Sequence, residues 1–217
     1  MAVDRLPSLA ARVLRSQFGD APTPIAAARG ARATIDEHVF AAAREDGGRA
    51  LEIMYRGYKD RIYTFLLRVT ASAELADDLT HDTFIKASRA LRSLDDGRAL
   101  LPWLYRIANN AAIDELRRRR RFSWLRWTGL HGTDDEPHAP DDHARVPERA
   151  RIDAALKAIP PENAAALLLH AVEGYSYKEI AQIQGCSLTA ARSRIARARS
   201  AFRAAYHNEP PVGSSNK

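Results

Sequence analysis

From Leu51 the apolar residues fall at 51, 54, 55, 58, 62, 65, 66 and 69, the i, i+3, i+4, i+7 spacing of one helical face. Leu75, Leu79, Ile85, Leu91 and Leu94 continue the pattern and predict a second helix. Asp95-Asp96-Gly97 marks a turn, and Pro102 suits the first turn of a third helix that carries Leu101, Leu104, Tyr105, Ala108, Ala112 and Leu116 on one face. Further on, Ile152, Leu156 and Ile159 mark a helix stopped by Pro160-Pro161, and Leu167, Leu168 and Val172 one that ends at Gly174. Tyr177 to Ile183 and Leu188 to Phe202 follow as two helical patterns separated by Gly185-Cys186-Ser187. No segment alternates with period two over more than a few residues, so the fold class is all-α, two small helical domains joined by a linker.

The last pattern has three faces. Leu188, Ala191, Ile195, Ala198 and Phe202 keep within about a quarter of the circumference, a stripe expected to face the core. Arg192, Arg199 and Arg203 flank it on one side, Arg194 and Arg197 on the other, and Thr189, Ser193, Ala196 and Ser200 lie between. A helix entering the DNA major groove needs this arrangement. Short side chains let the backbone approach base edges, and lateral cations meet the phosphate walls. The bland alternative is a basic surface helix; the preceding helix and Gly-containing turn favour DNA.

Charge sharpens this picture. The 217 residues include 33 Lys and Arg against 27 Asp and Glu, a formal charge of +6, and the excess is local. Arg117 to Arg126 holds six arginines and no acid, and Gly185 to Arg203 holds five and no acid. Two acid-free runs on separate helices point to a polyanion. Between them, His131 to Glu148 holds six acids, one arginine and three prolines, the composition of a solvated linker. On the third helix Arg106, Asn110, Asp114 and Arg117 stand at i, i+4, i+8 and i+11 and run into the arginine cluster. Trp103, Trp124 and Trp127 flank it; rings near cations stack on unpaired bases, although Trp103 at helical spacing from Ile107 also fits a core.

These observations set domain boundaries. Residues 1–35 are expected to form a poorly ordered extension, 36–122 the first domain, 123–148 the acidic linker, 149–206 the second domain and 207–217 a disordered tail. Leu6, Leu9, Val13, Leu14 and Phe18 place one amphipathic stripe in the extension; a bacterial leader or partner-binding arm is favoured over an organellar transit peptide. No apolar run approaches the ~18 residues that span a bilayer. Cys186 is the only cysteine, which excludes an intramolecular disulfide and a cysteine-rich zinc site. Neither a metal nor a cofactor is expected.

With these residues in view the chain resembles the sigma factors of bacterial RNA polymerase, in the compact extracytoplasmic-function group. Region two is matched by Ala76-Asp77-Asp78-Leu79-Thr80-His81-Asp82-Thr83-Phe84-Ile85-Lys86-Ala87 and by the run from Trp103 to Arg117. Region four is matched by the run from Glu173 to Ala181, then Ser187, Arg192-Ser193-Arg194-Ile195 and Arg197-Ala198-Arg199. The resemblance implies that Asp77, Asp78, Asp82 and Phe84 meet the clamp helices of core RNA polymerase. The acids of Thr70 to Phe84, with no Lys or Arg among them, suit a basic partner. It implies that Asp96, Arg98, Trp103, Arg106, Asn110, Asp114, Arg117 and Arg118 meet the melted minus-ten element, with a flipped base held by the loop from Leu94 to Leu101. It further implies that Ser187, Thr189, Ala190, Arg192, Ser193, Arg194, Arg197 and Arg199 read the double-stranded minus-thirty-five element beside the polymerase flap. The expected protein is a cytoplasmic non-enzyme, a monomer when free, that directs core polymerase to promoters and promotes strand opening; an anti-sigma factor is a further expected partner.

The family often has Gly-Thr-Val where Thr189, Ala190 and Ala191 stand, so base preference is not carried over. His81 replaces a common Gln and Asp78 a common Glu. Three alternatives remain. His81-Asp82 resembles the dyad of metal-dependent phosphohydrolases but lacks a second histidine-rich segment; His131, His138 and His143 fall in the acidic tract. A stand-alone helix-turn-helix regulator leaves the Trp103 to Arg117 pattern unexplained. A sigma-like decoy keeps both domains without promoter activity.

Overall fold

A computed structural model describes the backbone of residues 25–91, 94, 99–127 and 147–208, and side chains within 35–91, 94, 99–121 and 151–206. The described residues form eight helices and no strand. They are α1 (Ile25–Glu45), α2 (Gly47–Thr70), α3 (Ala73–Ala90), α4 (Leu100–Trp127), α5 (Pro147–Lys157), α6 (Pro161–Ala171), α7 (Tyr177–Ile183) and α8 (Leu188–Asn208). The chain divides into two compact units, one over Ala33–Asp142 and a second that includes His143–Lys217.

In the first unit α2, α3 and α4 pack on one another. The apolar stripe of α2 is buried at Met54, Tyr58, Ile62, Phe65, Leu66 and Val69, and it meets Leu75, Leu79 and Phe84 of α3 and Leu101, Leu104 and Tyr105 of α4 in one core. Phe65 and Tyr105 meet edge to face at 5.1 Å. Local chemistry sets the ends. Asp46 accepts from Gly48 N at 2.8 Å and separates α1 from α2, and Ser72 accepts from Leu75 N at 3.2 Å to start α3. Thr80 and Thr83 are fully buried, but each hydroxyl donates back to the carbonyl four residues earlier, at 2.6 and 2.7 Å, so neither leaves a donor unmet.

The hydrophobic pattern did not reveal α1. Its first half, Ile25 to Thr34, is rich in alanine and arginine, so high intrinsic helix propensity forms it without an apolar stripe. Residues 25–35 thus continue into the same helix as 36–45. Helix α1 is tied to its neighbours by Asp36, whose carboxylate accepts from Tyr58 Oη of α2 and, at 3.2 Å, from the backbone N–H of Leu100 at the start of α4. Gly57 lies under α1: a Cβ there would stand 3.0 Å from Ile35 Cγ2, so the missing side chain permits the close crossing. Helix α4 also continues past the expected boundary at 122, to Trp127.

In the second unit α8 packs against α5, α6 and α7. Ala164 to Leu169 of α6 are all buried, as are Ala191, Ile195, Ala198 and Phe202 of α8. Pro161 occupies the first turn of α6, where its missing N–H costs nothing. At the entry to α7, Ser176 and Glu179 form a reciprocal capping box. The turn after α7 is closed by Cys186 N to Ala181 O at 2.9 Å and Gly185 N to Gln182 O at 3.4 Å, with Gly185 at φ +59°, a conformation that favours glycine. Helix, tight turn and helix stand as the sequence predicts.

Candidate nucleic-acid interface

Helix α8 is held in place from three sides. Its core stripe fixes its rotation. Ser187 accepts from Ala190 N at 3.1 Å and thereby caps its N-terminus, so that hydroxyl is engaged in starting the helix. Beneath its flank His170 stacks on Tyr177 at 4.8 Å between ring centroids, and the Arg192 guanidinium lies over the same tyrosine ring at 5.9 Å. Arg192 is therefore exposed yet supported from below. Thr189, Ala196, Arg197 and Ser200 are exposed, and Ala190, Ser193 and Arg199 half-buried, so the face between the arginine flanks is open and small-sided.

Arg194 departs from the expected flank. Its Nη1 donates to Gln184 Oε1 at 2.9 Å, and Gln184 Nε2 donates to Glu162 O at 3.0 Å. This chain of bonds runs from α8 through the turn to the start of α6, so Arg194 binds the unit together and is half-buried in doing so. Leu188 also departs: it is 40% exposed although its spacing assigns it to the core stripe. The stripe runs out at the first residue of the helix, directly after the turn.

In the first unit Arg106, Asn110, Asp114 and Arg117 are all exposed along one line of α4, and Arg121 extends it by another turn. Asp114, Arg117, Arg120 and Arg121 surround an open depression of about 440 Å³. The arginine run is not uniform. Arg118 grips Glu115 through Nε and Nη2 at 2.8 and 2.9 Å, and Arg119 Nε reaches the same carboxylate at 2.8 Å. Those hydrogen bonds hold the Glu115 carboxyl below the usual carboxylate range and the Arg118 guanidinium above its own. Arg118, expected at the minus-ten element, is thus partly committed to its own helix. Trp103 is half-buried, between its two readings. Asp96 and Arg98, the side chains of Trp124, Trp127 and Glu148, and the other linker acids and the linker histidines lie outside the described residues.

On α3, Asp77, Asp78, His81 and Asp82 are exposed along one ridge, and Ile85 is 43% exposed beside them. A shallow depression of about 310 Å³ adjoins this ridge, lined by Leu51, Glu52 and Tyr55 of α2 and His81, Phe84 and Ile85 of α3, together with Gly48. Phe84 corrects its expected place. It is 2% exposed and meets Tyr55 edge to face at 5.0 Å, so it floors the depression as core, and Ile85 presents the apolar surface. Among the described residues no group of three or more His, Cys, Asp or Glu comes together as a metal site. No described helix is long and apolar enough to cross a membrane.

Sequence reasoning missed Asp36, Glu115 and Gln184 as positioning residues. A Glu followed by Arg at i+3 and i+4 is a legible signal for Glu115; Asp36 and Gln184 act across 64 and 22 residues and leave no local trace.

Comparison with known proteins follows these two surfaces. The family model for Sigma-70 region 2 matches residues 54–122, and that for Sigma-70, region 4 matches residues 149–202. RNA polymerase sigma factor CarQ of Myxococcus xanthus is 32% identical over 154 residues, covering 71% of this chain and 87% of CarQ. ECF RNA polymerase sigma factor SigE of Mycolicibacterium smegmatis is 34% identical over 164 residues; the match covers 69% of this chain but only 59% of that longer relative. The fold resembles that of the sigma factor RpoE solved with the anti-sigma factor NepR from Bartonella quintana, at TM-score 0.58 and 23% identity, covering 73% of this chain and 98% of RpoE.

Proposed function

The chain belongs to the extracytoplasmic-function sigma factors of the sigma-70 family, and from that premise we propose how its two units divide promoter recognition. Members of this family direct RNA polymerase to promoters as initiation factors and do not themselves catalyse, and this chain is one of them. The α3 ridge of Asp77, Asp78 and Asp82, with Ile85 in place of the buried Phe84, docks on the basic clamp of core polymerase. The exposed line Arg106, Asn110, Asp114 and Arg117 receives the opened minus-ten strand, with Trp103 beside it. Capturing unstacked bases offsets the few kcal/mol that unpairing costs, so melting becomes a binding equilibrium.

Helix α8 enters the major groove of the minus-thirty-five element. Thr189, Ala190 and Ser193 face the bases, and Arg192, Arg197 and Arg199 meet phosphates. Ser187 and Arg194 hold the helix in place. The observation that carries this reading is the joint occurrence of the open, small-sided, arginine-flanked face of α8 and the exposed polar line of α4, each within its own matched region. An anti-sigma factor is a fitting partner, as one is for the structurally similar RpoE. The chain works where polymerase works, in the cytoplasm. Run-off transcription with core polymerase and a promoter library tests the proposal. A discrete set of starts dependent on the chain is expected; starts no different from those of core polymerase alone would overturn it.

A further inference from the structure

Two large hydrophobic side chains are exposed among the described residues, Ile85 and Leu188. Ile85 lies on the proposed polymerase-docking ridge. Leu188 has no such account, because its spacing assigns it to a core that the structure does not extend to it. It is the first residue of α8, directly after the capping Ser187, with exposed Thr189 next to it and exposed Arg192 one turn behind on the same side. In a helix every Cα–Cβ bond tilts toward the N-terminus, so a side chain at the first position projects forward past the helix end. In helix-turn-helix proteins that end of the second helix is the part that reaches base edges.

An apolar group at the tip of a groove-reading helix has one complementary apolar partner on the major-groove floor, the C5-methyl of thymine. Cytosine and the purines present only polar atoms or a bare ring edge there. We propose that Leu188 is a specificity-determining residue that reads a thymine methyl in the minus-thirty-five element. The inference rests on the reading of α8 as the groove-entering helix. Arg192, laid over Tyr177, contacts a phosphate one turn behind and fixes how far the tip advances. Thr189 and Ser193 are polar and Ala190 ends at its Cβ, which leaves Leu188 as the long apolar reach on the leading edge. Burying one methyl against the leucine is worth about fourfold in affinity.

The test uses the full chain with core polymerase. Duplexes are first enriched by this holoenzyme from a library randomised over the minus-thirty-five segment. Each thymine of the enriched sequence is then replaced in turn by deoxyuridine, which removes only the methyl. Binding is measured for wild type, Leu188→Ala and Leu188→Asn, with circular dichroism to show that the exposed substitutions leave the fold unchanged. One deoxyuridine position is expected to weaken wild type about fourfold and to have no effect on Leu188→Ala. Leu188→Asn, which replaces the apolar tip by a polar amide, should likewise be indifferent to loss of the methyl at that position. Equal losses in wild type and Leu188→Ala at every thymine, or an enriched segment without thymine in either strand, would overturn the assignment while leaving promoter recognition intact. Failure of wild type to enrich any sequence would instead overturn the reading of α8, and the assignment with it.

Discussion

Replacing Glu115 by Gln should steepen the salt dependence of promoter binding. The Glu115 side chain is 14% exposed and holds Arg118 and Arg119, whose side chains are 62% and 59% exposed. At 100° per residue, Arg121 falls about 40° from Arg117 around α4, whereas Arg118 is turned about 100° and Arg119 about 200°. The carboxylate thus cancels one charge of the pair and holds both side chains back along the helix, and without it a long, exposed arginine swings toward the phosphates beside that line. Each phosphate neutralised contributes about −0.9 to the slope of log K against log salt on duplex and about −0.7 on single strands. Glu115→Gln releases one net cation, so the slope should steepen by about 0.7 to 0.9. Affinity for non-promoter DNA should rise with it, because a phosphate contact carries no sequence information.

Anisotropy titrations of the holoenzyme on promoter and non-promoter duplexes across a salt series measure both effects. An unchanged or shallower slope would refute the charge count. Melting temperature should scarcely move, since exposed pairs of this spacing are worth about 0.3 to 0.5 kcal/mol. The sign with pH follows from the lowered carboxyl. Its stabilisation is present above the ordinary glutamate value of about 4.3 and is lost only as pH falls through the still lower folded value. Between about pH 6 and 8 this pair should therefore add no pH dependence.

Asp36→Ala removes the acceptor for Tyr58 Oη and Leu100 N and should destabilise the first unit by about 1 to 3 kcal/mol, read as an earlier unfolding transition in full-length protein; an unshifted transition would dismiss Asp36 as the tie. Arg192→Ala and Arg199→Ala should each flatten the salt slope by about 0.9 without loss of stability. Arg194→Ala should lower the unfolding temperature and leave the slope unchanged, and the reverse pattern would return Arg194 to the DNA face. Ile85→Asp should leave unfolding unchanged and weaken core polymerase binding by about tenfold or more, as loss of an apolar anchor does; equal affinity in a competition assay against wild type would remove Ile85 from the docking ridge.

Much of the fold was legible because its helices carry their own signals. The α2 stripe from Leu51, the Pro160-Pro161 stop after α5, and the glycine-bearing turn before Leu188 each encode their structure within a few residues. Helix α1 was not legible, since alanine forms helix without a periodic apolar face. Periodicity also cannot say where a stripe stops being covered. Ile85 and Leu188 share the spacing of buried neighbours, yet each lies where packing ends. On the interface, sequence placed Arg192 and Arg197 on an exposed face but could not separate them from Arg194, whose partner Gln184 is set by the turn. Composition marked the arginine cluster, whereas its division by Glu115 is written in the i+3 and i+4 spacing and closed by the geometry.

The central claim is that two units of one chain engage separate promoter segments while bound to core polymerase. A footprint of the holoenzyme on a promoter it selects, with permanganate to mark unpaired thymines, tests this most directly. Two separated protected stretches are expected, the downstream one containing reactive thymines and the upstream one remaining duplex and losing protection with Arg192→Ala. A single protected stretch, or a pattern identical to that of core polymerase alone, would contradict the account.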